Sequence, residues 1–311
     1  MGRQAVALGP GTAGAGGAPE RSGARPPARV LPRLLIAGDA DPADFSGEAP
    51  ADAQAWQGPG GAVLAHCSVL DGRHRVDLPG LVTFLFDADA LEVRAIPHPP
   101  ARPEAIREVY GHSVLPLVLQ ALGIEVLHAS AVLTSGGVVA VCGASGMGKS
   151  TVAYGLYRRG YPLWADDAVA LRASVAAIDA IPLPFDVRLR PAAALLFGYG
   201  ARPRRLAGEP PLAVRDGGEP ARLRAVCVLD RVSTTGGGTA VGRLRPSAAF
   251  AALLPHAYCF GLSDPERKRR MLGRYLDLAA RLPVFRVRRA DDLDTLPSTL
   301  DGIERTLAGA G

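Results

Sequence analysis

Along the first third of the chain, apolar residues come in short runs separated by turn residues. Residues 30–36 form the first run, and residues 41–61 are loop-like. Three more runs follow at 62–69, 81–86 and 91–96, with Asp71-Gly72 as a hairpin signal after the first of them. This stretch predicts antiparallel β structure. Residues 97–103 read as a proline-rich linker. Beyond it the period changes, because Ile106, Val109, Val114, Leu117, Val118 and Leu122 fall at helical spacing. A helix is predicted over 104–122, kinked or broken at Pro116 and ended by Gly123. Two apolar strands come next, 126–133 and 138–142, joined by the turn Ser135-Gly136-Gly137. A helix over 151–159 closes at Gly160, a strand covers 161–165, and another apolar run lies at 225–229. Residues 1–28 are Gly, Ala, Pro and Arg without a period and predict a disordered tail. The pattern as a whole predicts an α/β fold: the tail, a β-rich region over 29–103, and an α/β domain over 104–311.

Composition narrows the partners. With 48% hydrophobic residues, the 311-residue chain can bury a substantial core. Its net charge is +5, but the arginines are scattered. The densest run, Arg267 to Arg270, sits in one helical stretch without interleaved aromatics, which predicts a solvated helix face and no nucleic-acid platform. No apolar stretch approaches the ~18 residues of a spanning helix, and the N-terminus lacks the apolar core of a signal peptide. The four cysteines, Cys67, Cys142, Cys227 and Cys259, form no CxxC pair and predict buried thiols in a reducing cytoplasm. Only two lysines, Lys149 and Lys268, stand against 33 arginines.

One of those lysines lies in Gly143-Ala144-Ser145-Gly146-Met147-Gly148-Lys149-Ser150, followed by Thr151. This matches G-x-x-x-x-G-K-[ST], with an apolar strand before it and a helix after it. Glycines let the backbone approach a phosphate closely, successive N–H groups face its oxygens, and the helix start adds positive potential. Lys149 would reach the β- and γ-phosphates, and Ser150 would ligate Mg²⁺. Such a loop needs an acid. Asp166-Asp167 ends the 161–165 strand, which a strand–helix–strand connection sets parallel to the loop strand, with both C-terminal ends on one edge. Adjacent carboxylates point opposite ways, so one would face the phosphate; if they lie close together, one pKa rises. Asp230, after 225–229, is the other candidate. His128 lies on the strand paired to the loop strand, either as a core residue or close to the loop. Arg188 and Arg190 form either an exposed edge pair or a clamp for phosphate or substrate.

The stretch Leu127-His128-Ala129-Ser130-Ala131-Val132, the loop from Gly143 to Thr151, and Ala165-Asp166-Asp167 together resemble the HPr kinase/phosphorylase family and its divergent relatives. The matched residues cover about 45 positions. The segment from Leu282-Pro283-Val284 to Leu296-Pro297 resembles the family's closing segment. The resemblance implies an HPr-kinase-like P-loop domain that uses ATP and Mg²⁺. It also implies that Asp166 is the base toward a serine hydroxyl, with His128 and Asp167 supporting the phosphate and metal site, and it allows a homo-oligomer. The family's Arg-Gly-Leu-Gly signature is absent, so HPr and phosphorylase action are not carried over. The expectation is a Mg-ATP-dependent kinase acting on a serine or other hydroxyl of a protein or peptide. A P-loop ATPase and a non-catalytic nucleotide sensor are the alternatives, and neither nucleic acid nor membrane is expected as a partner.

Overall fold

The computed structural model describes residues 31–37, 53–57, 61–70, 72–87, 89, 91–200, 204–206, 219–232, 239–258, 265–290 and 292–309. The tail at 1–28, Asp71 and Cys259 lie outside the described residues.

The apolar runs of the first third build one six-stranded sheet. Its strands are β1 (Arg33–Ile36), β2 (Gln54–Gln57), β3 (Val63–Leu70), β4 (Arg73–Leu78), β5 (Val82–Asp87) and β6 (Glu92–Pro97), in the order β1-β6-β5-β4-β3-β2. Every pairing is antiparallel except β1 with β6. The β3–β4 register closes at Leu70 opposite Arg73, with Gly72 at φ 81° in the connecting turn. β2 corrects the expectation of a loop over 41–61. Its four residues alternate too briefly to register as a strand, and it forms by pairing with β3.

The predicted helix over 104–122 is three pieces: α1 (Pro103–Val109), a π-helical turn (Tyr110–Val114) and α2 (Leu115–Ala121). Pro116 lies in the first turn of α2, directly after the π-helical turn, so the predicted break falls at that widened turn. This helical segment packs Ile106, Val114, Leu117 and Val118 against Val76, Phe84 and Val93 of the sheet.

The predicted strand over 126–133 is also divided. β7 (Glu125–Leu127) pairs with one set of strands, and β8 (Ala129–Thr134) with another, changing over at His128. The His128 amide leaves both ladders and donates to the His256 carbonyl at 2.7 Å. After β8 come β9 (Gly137–Cys142), α3 (Lys149–Arg158), β10 (Leu163–Ala165), β11 (Val169–Ala173), β12 (Ile178–Ile181) and β13 (Val187–Leu189). They are followed by α4 (Pro191–Leu196), β14 (Arg204–Leu206), β15 (Ala221–Arg231), β16 (Ala240–Arg243), α5 (Pro246–Leu253), α6 (Pro265–Arg281), β17 (Val284–Arg289) and α7 (Leu296–Gly309).

β15 is long enough to serve two pairings. Its first residues join β12, β11 and β7, and the rest lies parallel between β9 and β17. β8 runs antiparallel to both β9 and β10, so β9, β10, β15 and β17 all point the same way. Successive residues of β9 alternate between two cores. Val138, Ala140 and Cys142 meet Met271, Tyr275 and Leu278 of α6, and Val139 and Val141 meet Val152, Leu156 and Ile303 of α3 and α7. The result is an α/β arrangement, with helices on both faces of the sheet. Residues Arg267 to Arg270 lie in α6; Lys268, Arg269 and Arg270 are exposed, and Arg267 is half-buried. Cys67, Cys142 and Cys227 are buried free thiols, each pushed up to about 12 by burial.

Candidate functional site

Four parallel strand ends meet at one edge of the sheet. β9 ends in the glycine-rich loop, β10 in Asp166-Asp167, β15 near Asp230 and β17 at Arg289. Ligands in open α/β sheets bind outside this edge. A cavity of about 450 Å³ opens there, lined by His128, the loop residues Ser145 to Gly148, Lys149 to Thr151, Asp167, Arg188 to Ala193, Arg289 and Leu293.

The loop from Gly143 to Gly148 turns at Gly146 (φ 85°) and Gly148 (φ 91°), conformations that cost an L side chain strain. α3 starts directly after Gly148, and no side chain caps it. Its first-turn amides therefore face the cavity side without a protein acceptor of that kind. Gly143 and Ala144 do not line the cavity; their carbonyls accept from the Lys149 ammonium at 3.0 and 3.5 Å. Lys149 is buried, and desolvation lowers its pKa, opposed by the charges of Asp167 and Asp166. Among the described residues the buried ammonium is hydrogen-bonded by these two carbonyls, beside a helix start that no side chain caps.

The carboxylate pair divides between two environments. Asp166 is 4% exposed and accepts from Ser130 Oγ at 2.5 Å, from Ser150 Oγ at 2.8 Å and from the Arg188 amide at 3.2 Å. Burial, with the charge of Asp167 second, pushes its pKa up to about 6; the serine hydrogen bonds oppose this. Asp167 has φ 64°, a left-handed conformation rare outside glycine, and it turns its carboxylate into the cavity. Its carbonyl accepts from His128 Nδ1 at 2.9 Å and from the Tyr258 hydroxyl at 3.2 Å. His112, from the π-helical turn, places Nδ1 3.8 Å from Asp167 Oδ2. Two hydrogen bonds on the carbonyl and a histidine at the carboxylate hold the strained residue in place.

His128 lines the cavity. A carbonyl only accepts, so Nδ1 carries the proton, and burial lowers the ring's pKa and keeps it neutral. The ring also packs edge-on against Tyr258. Ser150 bonds to Asp166 and not to Asp167, the residue paired with it in the reading of the metal site above. Asp230 reaches the same edge but points away from the cavity, toward Arg286 and Arg288 at 3.9 and 4.0 Å. Arg188 pairs with Glu108 of α1 at 2.5 Å, while Arg190 faces the loop. Ser130, His112, Tyr258 and Arg289 were not singled out by motif. Ser130 lies within the quoted stretch beside His128, whereas His112, Tyr258 and Arg289 come from segments far along the chain from the loop, and Arg289 is one of many arginines.

The hydroxyl of Ser150 and the carboxylates of Asp166 and Asp167 are hard oxygen donors, which suit Mg²⁺. Among the described residues no three His, Cys, Asp or Glu side chains cluster as a closed metal cage. A cation shared with substrate phosphates needs only one or two protein carboxylates, so the donor set fits.

No family model matches the chain, and no curated protein matches it. Among solved structures it is similar to the HPr(Ser) kinase/phosphatase from Coxiella burnetii, with 13% sequence identity, 59% of this chain and 98% of that chain covered, and a TM-score of 0.31. Among the described residues no helix is long and apolar enough to cross a membrane.

Proposed function

We propose that this chain is a Mg-ATP-dependent kinase, with an HPr-kinase-like P-loop domain, that transfers the γ-phosphoryl group to a serine or other hydroxyl of a protein or peptide. The observation that carries the reading is the division of the carboxylate pair beside the glycine-rich loop. One acid is buried on the Ser150 hydroxyl, and the other is turned into the cavity. The loop backbone, the start of α3 and Lys149 hold the phosphate chain. Ser150, oriented by its hydrogen bond to Asp166, would hold the metal, and Mg²⁺ would neutralise phosphate charge when bound.

Asp167 takes the hydroxyl proton, because a base must first reach the proton it removes and Asp166 is sealed behind two serines. This exchanges the roles that the family resemblance implied for the two aspartates. The acceptor oxygen bonds to the γ-phosphorus, the bond from that phosphorus to the β,γ-bridging oxygen breaks, the proton passes to Asp167 and ADP leaves. His128 and Tyr258 keep the Asp167 backbone in its left-handed turn.

The test uses γ-labelled ATP and Mg²⁺ with extract of the native host, against a Lys149→Ala control. Label appearing in one protein or peptide, and absent in the control, supports the kinase and names its acceptor. Label released only as phosphate replaces it with an ATPase. Bound nucleotide with no movement of label leaves a sensor.

A further inference from the structure

The sequence left Arg188 and Arg190 as an undivided pair, and the structure separates them. Arg188 is spent: its guanidinium pairs with Glu108, and its amide braces Asp166. Arg190 is not. Among the described residues, no carboxylate or carbonyl bonds its guanidinium, although it lines the cavity. Its Nη1 stands 3.2 Å from where a Cβ on Gly146 would be, so it lies directly over the loop. Its backbone is fixed on both sides, by β13 before it and by α4, which opens at Pro191, after it. Across the loop, Arg289 Nη1 stands 3.0 Å from the corresponding position on Gly148, at the start of α3. Arg289 is 6% exposed and donates to the Asp292 carbonyl at 3.0 Å. Two guanidinium groups and the Lys149 ammonium therefore converge on a helix start that is itself positive. Cations gather in this way where an anion with several charged oxygens is to be held.

We propose that Arg190 is the residue that reads the terminal phosphoryl group of the nucleotide. It would act from outside the glycine-rich motif and stabilise the charge that spreads over that group during transfer, while Arg289 holds the inner phosphates at the start of α3. This rests on the nucleotide reading above. Arg190 is exposed and has no hydrogen-bond or ion-pair partner among the described residues, so it can swing onto the outermost phosphate. Arg289 is buried at the end of β17, so it stays by the helix. A planar guanidinium can grip two phosphate oxygens at once, which a lysine cannot.

The experiment is a calorimetric titration, with Mg²⁺ present, of ADP and of the non-hydrolysable β,γ-imido analogue of ATP. The proteins are the wild type, Arg190→Ala and Arg190→Lys, and the measurement needs no acceptor. The expected result is a wild type that binds the triphosphate about 10- to 100-fold more tightly than ADP. Arg190→Ala should hold ADP within about threefold of wild type and lose the triphosphate preference, and Arg190→Lys should recover only part of it. Removing an exposed, unbonded side chain leaves the fold intact, and the ADP titration reports that directly. If Arg190→Ala binds both ligands as wild type does, or weakens both equally, the assignment of Arg190 is overturned while the nucleotide reading stands. If the wild type binds neither ligand, the nucleotide reading itself falls and takes the assignment with it.

Discussion

Asp166 should cost this protein stability at neutral pH. Its carboxyl titrates near 6 in the folded chain, against 3.8 for the ordinary side chain, mainly through burial and secondarily through Asp167. Between those two pH values the folded chain keeps a proton that the unfolded chain has released. Stability is therefore full below about pH 4 and is lost as pH rises through about 6. A difference of about two pK units corresponds to about 3 kcal/mol. Asp166→Asn removes the charge and keeps an oxygen for Ser130 and Ser150, but its amide cannot accept from the Arg188 N–H, at a cost of about 1 kcal/mol. The variant should thus be about 2 kcal/mol more stable than wild type at pH 7.5, and no more stable at pH 4. Urea denaturation at both pH values, without magnesium, reads the difference. An Asp166→Asn protein that gains nothing at pH 7.5, or gains the same at both pH values, would refute the reasoning. Asp167→Asn removes the second cause, so the wild-type loss between pH 4 and 7.5 should shrink in that background.

Other substitutions test the parts around it. Ser130→Ala takes a fully buried donor from Asp166 and should cost about 1–3 kcal/mol at pH 7.5, read by the same denaturation. Gly148→Ala forces a side chain into φ 91° against Arg289 and should cost about 1–3 kcal/mol and abolish nucleotide binding, measured by denaturation and calorimetry. His128→Ala leaves the Asp167 carbonyl with the Tyr258 hydroxyl as its one remaining donor; phosphoryl transfer should fall about 10-fold or more with nucleotide affinity within threefold, and a parallel loss of affinity would place His128 on the nucleotide instead.

What the sequence made legible is local. The glycine-rich loop is consecutive in the chain, so its residue types and flanking periods mark it without any knowledge of the fold. The short α3 connection oriented β10 parallel to β9, although the structure inserts β8 between them. The Asp pair at the β10 end followed from that orientation; a raised pKa was expected only from the closeness of the two carboxylates, whereas burial of Asp166 is its main cause. Pattern alone could not reach the rest. Nothing in a run of apolar residues marks the point where a strand changes partners, so 126–133 read as one strand while His128 divides it. Strands β11 to β14 and β16 are three to five residues long, too short for periodicity to carry. Arg289 and His112 enter the site from opposite ends of the chain, brought there by β17 and by the π-helical turn. The unequal fates of Asp166 and Asp167 depend on one backbone angle, φ 64° at Asp167, which no residue type announces.

The most direct test of the central claim is the equilibrium binding of Mg-ATP to the purified protein and to Lys149→Ala. The account predicts saturable binding by the wild type and a loss of about 100-fold or more in the variant, because the buried ammonium is a fixed cation at the start of α3. A wild type that does not bind Mg-ATP at millimolar concentration, or a Lys149→Ala protein that binds it equally well, would contradict the account.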